Sequence, residues 1–105
     1  RAAAIMKPMH GEYKMPGGKL VVADLQVRDG CLRGVRISGD FFLEPDHALD
    51  HINATLEGVP VPLDCQQLAR TLDAALRDAF GPELMLYGIS AEAVAVAVQR
   101  ALEQA

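Results

Sequence analysis

Alternating apolar and polar positions across residues 20–42 predict a β-hairpin. Residues 20–27 are rich in β-branched side chains and place polar ones on one face, which is typical of a half-buried strand. Arg28-Asp29-Gly30 supplies turn chemistry, and the alternation resumes through residues 32–42. The sequence therefore predicts two antiparallel strands joined by a short turn.

The apolar faces restrict the register of this hairpin, because a slip of one residue would set an apolar side opposite a polar one. A two-residue loop fails that test, so we expect a three-residue loop with Gly30 in the left-handed conformation. This register brings residues 16–19 and 39–42 together at the open end of the hairpin. The predicted pairs are Ala23 with Val35, Val21 with Ile37, and Lys19 with Gly39.

Helical spacing of apolar residues predicts three helices in the second half of the chain. We expect the first over residues 45–57, with Pro45 in its first turn, the second from an Asp64 capping box to Gly81, and the third from Ser90 as its cap. The positions expected to face the core are Leu49, Ile52, Leu56, Leu68, Leu72, Ala75, Ala79, Val94, Ala97, Val98, Ala101 and Leu102.

These elements predict an α+β fold, with an antiparallel, hairpin-based sheet of two to three strands covered on one face by about three helices. A lone hairpin is marginally stable in water, so residues 10–15 or 84–89 are expected to add a strand. We expect a single domain over residues 10–105. Residues 1–9 are expected to form an N-terminal segment that is disordered or vector-derived.

Composition limits the function classes. Half of the 105 residues are hydrophobic, and the formal net charge of −4 disfavours binding to a phosphate backbone, so we expect no nucleic-acid partner. No apolar run reaches the roughly 18 residues that a membrane span needs, and no signal-peptide pattern is present. Cys31 and Cys65 lie far apart without a C-x-x-C motif, which favours a soluble protein of the reducing cytoplasm.

One candidate for chemistry is the glycine turn, Pro16-Gly17-Gly18-Lys19. Two adjacent glycines let successive backbone amides point at an anion, and Lys14 and Lys19 add positive charge. The motif lacks the spacing and the Ser/Thr of a P-loop. Because Pro-Gly and Gly-Gly are ordinary turn formers, a purely structural turn is the more frequent meaning of such a sequence.

The second candidate is the diaromatic segment, Gly39-Asp40-Phe41-Phe42, which is predicted to end the second strand. At most one of its two rings can face the core of a regular strand, so the other is a candidate contact for a partner. In the alternative, Phe42 tucks under the first helix and Asp40 accepts hydrogen bonds from nearby amides.

Other reactive residues give weaker signals. His47 and His51 are four apart on the predicted first helix, but no third ligand is specified, which favours a solvated helix face over a metal site. No serine or cysteine is placed by spacing beside a histidine and an acid. The residues therefore predict no self-sufficient active site.

Three runs carry a resemblance to a known family: GEYKMPGGKLV at residues 11–21, DG at 29–30 and ISGDFFLEP at 37–45. They resemble the C-terminal accessory domain of lipoate-protein ligases, most of all the version encoded as a separate small protein in two-component ligases. The resemblance implies a larger catalytic partner that binds lipoate and ATP, makes lipoyl-adenylate (lipoyl-AMP) and transfers lipoate to a lysine of an acceptor domain. This chain would assist the adenylation step.

The resemblance also implies what this chain lacks. The catalytic domain's lipoate-binding motif and its adenylate-contacting lysine have no counterpart here, so Lys19 is not equated with that lysine and the chain alone is expected to bind no cofactor. The alternative is a binding module for a related cofactor ligase or acyltransferase. The order of sheet and helices is also similar to iron-sulfur scaffold and sulfur-carrier proteins, but cysteines are missing from the loops at the open end.

Overall fold

A computed structural model describes residues 8–104, and in this part of the chain five strands and three α-helices form an α+β fold, as the sequence predicts. The predicted N-terminal segment lies mostly outside the described residues. No helix in the described range is both long and apolar enough to cross a membrane. The strands are β1 (Met9–Lys14), β2 (Leu20–Arg28), β3 (Cys31–Gly39), β4 (Phe42–Glu44) and β5 (Met85–Tyr87); the helices are α1 (Ala48–Leu56), α2 (Cys65–Phe80) and α3 (Ala91–Glu103).

The main sheet has three antiparallel strands in the order β1-β2-β3, and α1 and α3 lie against it while α2 packs on both helices. The prediction that residues 10–15 add a strand is confirmed by β1. Residues 84–89 also contain a strand, but β5 pairs with β4 in a separate two-stranded ribbon. Residues 8–104 therefore form two sheets where the sequence predicted one.

The predicted hairpin register was wrong: the loop has two residues rather than three, and none of the three predicted pairs is observed. Asp29 and Gly30 both have positive φ, 55° and 74°, as a two-residue type I′ turn requires. A bulge at Gly34, φ 62°, adds one residue to β3. The bulge restores the match of the apolar faces that a two-residue loop alone would lose. The observed pairs are Arg28 with Cys31, Asp24 with Arg36, Ala23 with Ile37, and Val21 with Gly39.

A close contact between β1 and α3 depends on small residues. A Cβ atom added at Gly11 would overlap the backbone of Ala97 and Ala101. The alanines of α3 are buried against the sheet, so helix and strand approach more closely than larger side chains would permit. This approach fixes α3 over the β1-β2 half of the sheet.

The predicted helix starts are confirmed for α2 and α3, whereas α1 starts three residues later than predicted and ends within one residue of the predicted end. Asp64 accepts from the amides of Gln66 and Gln67, and Ser90 Oγ accepts from the Ala93 amide at 3.0 Å, so both predicted caps are present. Helix α1 begins at Ala48, because β4 extends to Glu44 and residues 45–47 form a turn in which the Ala48 amide donates to the Pro45 carbonyl at 2.9 Å.

Most positions predicted to face the core are buried, with local exceptions. In α2 the buried stripe uses Leu76, while Ala75 is half-buried and Ala79 exposed. In α1, Ala48 is buried and Leu49 only half-buried. Leu102 in α3 is also half-buried. In α2 and α1 the buried residue lies one or three positions from the predicted one. The spacing of apolar residues predicts which face of a helix turns inward, but it does not predict which residues of that face are buried most deeply.

The outer edge of β3 is covered by α1 and the chain that follows it. Asn53 Oδ1 accepts from the Ile37 amide at 2.9 Å, and Glu57 Oε1 accepts from the Val35 amide at 2.8 Å. Closer to the hairpin turn, the Leu32 amide donates to the Val59 carbonyl. These hydrogen bonds occupy the edge of β3 over most of its length. The Gly39 end of the strand, where the candidate site lies, is not covered by them.

Candidate functional site at the open end of the sheet

Three chain segments meet at the open end of the main sheet: the β1-β2 turn, the diaromatic segment between β3 and β4, and the loop between β5 and α3. The Lys19 amide donates to the Gly88 carbonyl at 3.2 Å, and a Cβ added at Gly88 would overlap the side-chain stem of Lys19. The β1-β2 turn is thereby held against the end of the ribbon. Gly88 was not among the residues predicted to lie at this end of the sheet.

The glycine turn is a hydrogen-bonded β-turn. The Gly18 amide donates to the Met15 carbonyl at 2.9 Å, and Pro16 and Gly17, φ 71°, occupy the two central positions that suit proline and a left-handed glycine. The amides of Gly18 and Lys19 therefore bond within the chain. Positive charge at this end comes from the exposed side chains of Lys14 and Lys19.

Gly39 ends β3 through a backbone conformation that suits glycine. Its φ is 150°, and an added Cβ would overlap the Leu20 carbonyl oxygen and the ring of Phe41. The strand predicted to continue to Phe42 therefore stops at Gly39, and the chain resumes as β4 with a new partner. Phe41 is half-buried and Asp40 is exposed.

Phe42 is the exposed ring of the pair. Its side chain is 55% exposed, and its ring centroid lies 5.6 Å from that of Tyr87, its partner across the ribbon. The alternative in which Phe42 tucks under the first helix was wrong. Among the hydrogen bonds within residues 8–104, none involves the Asp40 carboxylate, so the accompanying expectation of bonds to nearby amides is not met there.

The ribbon adds residues that sequence reasoning missed. Residues that pair across an antiparallel ribbon share a face. One face of this ribbon, here called the ribbon face, therefore comprises Phe42, Glu44, Met85 and Tyr87. The opposite face presents Leu43, which is buried, and Leu86, which is half-buried. The sequence did indicate an extra strand within residues 84–89, but the partner of β5 lies about forty residues earlier in the chain, and local patterns do not specify such pairings.

The two histidines of the first helix do not occupy a fully solvated face. The rings of His47 and His51 meet Phe80 edge-on, with centroid distances of 5.3 and 5.5 Å. The face interpreted as solvated is therefore partly covered by the end of α2. Within residues 8–104, no group of three or more His, Cys, Asp or Glu side chains is arranged to hold a metal ion.

The remaining reactive residues lie away from the open end. His10, on the sheet face opposite the helices, bonds to Glu12 and Asp24, each at 2.6 Å, and these two carboxylates raise the pKa of its imidazole. Cys31 pairs with Arg28 beside the hairpin turn, at the far end of the hairpin. Cys65 opens α2, and burial raises the pKa of its thiol, which disfavours the reactive thiolate.

No family model matches the chain, and no curated protein matches it at a significant level. Among solved structures, the fold is similar to a chain described as "Structural analysis of an archaeal lipoylation system. A bi-partite lipoate protein ligase and its E2 lipoyl domain from Thermoplasma acidophilum". The match has a TM-score of 0.57 and 19% sequence identity, and it covers 90% of this chain and 94% of that one. The two chains therefore share an α+β fold over nearly their whole lengths.

Proposed function

We propose that this chain is an accessory subunit of a lipoate-protein ligase, which binds a separate catalytic subunit and assists ATP-dependent formation of lipoyl-adenylate. The observation that carries the proposal is the fold match, over 90% of this chain, to a chain from the study of a bipartite lipoate-protein ligase and its lipoyl domain. The residues that resemble the accessory domain, 11–21 and 37–45, contribute two of the three segments at the open end of the sheet.

The chemistry of the open end suits assistance to another active site. Lys14 and Lys19 are exposed there, and Lys19 is held in place through its backbone bond to Gly88. In adenylation the lipoate carboxylate attacks the α-phosphate of ATP and displaces pyrophosphate, and an ammonium group fixed beside the negative charge that develops there stabilises the transition state. Closure of the turn over the partner's site would also exclude water. Lipoate and ATP would then be held in the complex with the catalytic subunit rather than by this chain alone.

A direct test combines this chain with a candidate lipoate-ligase catalytic subunit from the same genome. The rate of lipoyl-AMP formation and of pyrophosphate release is measured for the catalytic subunit with and without stoichiometric amounts of this chain. We expect strong stimulation by the folded chain, none by heat-denatured chain, and no lipoyl-AMP from this chain by itself. A catalytic subunit that works equally well without it would rule out the accessory role.

The same reactions distinguish a second role, that of lipoyl acceptor. The matched study also contains a lipoyl domain, and two lysines of this chain, Lys14 and Lys19, are exposed beside a turn. Intact-mass measurement after the reaction should show no added lipoyl group in the accessory role. A lipoyl mass on either lysine would identify the chain as an acceptor and overturn the proposal.

A further inference from the structure

Exposed large hydrophobic side chains in the described part of the chain are concentrated in one place. Phe42 is 55% exposed, and Met85 and Tyr87 are each 47% exposed. All three belong to the ribbon face, and the rings of Phe42 and Tyr87 lie against each other at an interplanar angle of 33°. A contiguous apolar patch of this kind on a small domain marks an interaction surface more often than scattered single residues do.

The ribbon face has its own charge pattern. Glu44 lies on the face itself, opposite Met85, and Glu83 lines a depression of about 420 Å³ together with both. Asp46 lines the neighbouring depression beside Phe42. Carboxylates thus border the apolar centre on the side of Glu44, whereas Lys19 lies at the Gly88 end.

This charge pattern indicates what covers the face. A second copy of the chain docked through the same face would bring together two chains that each carry a net charge of −4, and it would offer one lysine, Lys19, against the carboxylates of Glu44, Glu83 and Asp46. A surface with an apolar centre and Lys or Arg at its border would complement both the rings and the acids. Aromatic anchors surrounded by complementary charges are the usual form of an interface centre.

We propose that the ribbon face docks onto an apolar patch bordered by Lys or Arg side chains on the catalytic ligase subunit. This inference rests on the proposed function. The Lys19–Gly88 bond connects the docking surface to the glycine turn, so anchoring the ribbon sets the position of Lys19 over the partner. Docking and assistance to adenylation are therefore separate tasks of adjacent residues.

Calorimetric titration of the catalytic subunit with single variants tests the docking surface. We expect Tyr87→Ser and Met85→Ser each to weaken binding about tenfold or more, as for the central anchors of other interfaces. Both side chains are nearly half exposed, so the fold should persist, and circular dichroism with thermal unfolding checks this. Wild-type affinity in both folded variants would show that the ribbon face does not dock.

A charge reversal tests the chemistry of the partner. Glu44→Lys is expected to weaken binding, with a loss that shrinks at high salt because added ions screen exposed charges. Glu103→Lys is the matched control: it makes the same change at the far end of α3, about 20 Å along the helix from Ser90 at 1.5 Å per residue. Equal effects of the two reversals would mean that net charge, not this border, governs binding.

The kinetics separate docking from catalytic assistance. With Tyr87→Ser, a higher concentration of this chain should be needed for half-maximal stimulation of lipoyl-AMP formation. Wild-type chain that neither binds nor stimulates would refute the proposed function itself, whereas wild-type stimulation with unchanged Tyr87→Ser affinity would refute only the docking surface. Sedimentation showing a wild-type dimer that Tyr87→Ser converts to monomer would make a second copy the occupant and overturn the inference.

Discussion

Individual glycines determine where backbone segments can meet in this molecule. Gly11 allows β1 to contact the backbone of α3, and Gly39 allows the end of β3 to lie against Leu20 and Phe41. The two positions differ in kind, because Gly39 has a φ of 150° while Gly11 is not among the positive-φ glycines. At Gly11 the requirement is therefore space alone, and at Gly39 it is both space and conformation.

Gly11→Ala is expected to destabilise the fold by about 1–3 kcal/mol, because the added methyl group must displace backbone rather than a flexible side chain. The free energy of unfolding from urea titration measures this. Gly34→Ala is the comparison, since Gly34 has a left-handed φ but open space around it and should lose only about 1–2 kcal/mol. A Gly11→Ala loss smaller than that of Gly34→Ala would contradict the close contact of strand and helix.

Lys19→Ala is expected to lower the maximal stimulation of lipoyl-AMP formation without changing the thermal midpoint, because the side chain is exposed while its backbone bond is retained. Loss of a charged contact of about 1.5–3 kcal/mol corresponds to about tenfold or more in rate. Arg70→Ala is the control: it removes an exposed positive charge that lies on α2, and it should leave the stimulation unchanged. A lowered midpoint in Lys19→Ala would instead assign the residue a structural role.

Asp40→Ala is measured in the same assay. The carboxylate is exposed beside the two rings, so we expect weaker stimulation with an intact fold. A variant that unfolds would show that Asp40 serves the structure of the β3-β4 junction.

His10 is expected to titrate above its ordinary pKa of about 6.5, because its ring bonds to Glu12 and Asp24 and both carboxylates favour the imidazolium form. A raised pKa means that the bonds stabilise the fold fully below the unfolded-state pKa, and that this contribution is lost as pH rises through the folded-state value. NMR titration of the ring protons should show that Glu12→Gln and Asp24→Asn each lower the pKa of His10. A wild-type value at or below the ordinary one would contradict the arrangement.

At the scale of elements, α1 both covers the edge of β3 and packs into the core. Its buried residues Ala48, Ile52 and Leu56 contribute to the core, and Asn53 and Glu57 satisfy two amides of the strand. A strand edge with free amides is a template for unwanted pairing, so this arrangement protects the sheet. The helix thereby covers the β3 edge and leaves its Gly39 end uncovered.

Asn53→Ala is expected to cost about 1–3 kcal/mol in the free energy of unfolding, because the partly buried Ile37 amide loses its acceptor. Asn53→Asp keeps a carboxylate oxygen in the same place and should retain most of the stability. Urea titrations of both variants give the comparison. Equal losses would show that the hydrogen bond is not what the side chain contributes.

At the scale of the molecule, a well-packed sheet with three helices carries a small ribbon on its open end. The ribbon has two strands of three residues, and one of its faces is exposed. The main sheet buries Val21, Ala23 and Ile37 almost completely. A segment with fewer buried contacts opens more readily, so the ribbon is the less stable part of the fold.

Hydrogen exchange should therefore be faster for the amides of β4 and β5 than for those of central β2, and the ribbon amides should become more protected when the catalytic subunit is added. Exchange followed by mass spectrometry, with and without the partner, measures both effects. Peptides from α2 serve as the internal control. Ribbon protection equal to that of β2 in the free chain would contradict this division of stability.

The sequence predicted the α+β class, the hairpin, two helix caps and the exposure of one ring in the diaromatic segment. Those features depend on neighbours in the chain: alternation defines strand faces, and Asp64 and Ser90 cap the helices that follow them. The bulge at Gly34 was missed because a local pattern of faces is equally satisfied by a longer turn or by a shorter turn with an inserted residue.

The sequence by itself determined the class of fold, and it placed the glycine turn and the diaromatic segment at one end of a hairpin. The tertiary structure decided that the amides of Gly18 and Lys19 bond within the chain, and that Phe42 joins Tyr87 and Met85 in a second sheet. The physical reason is sequence distance. Turns and caps are set by interactions over a few residues, whereas the ribbon joins segments about forty residues apart, whose meeting depends on how the helices between them pack on the sheet.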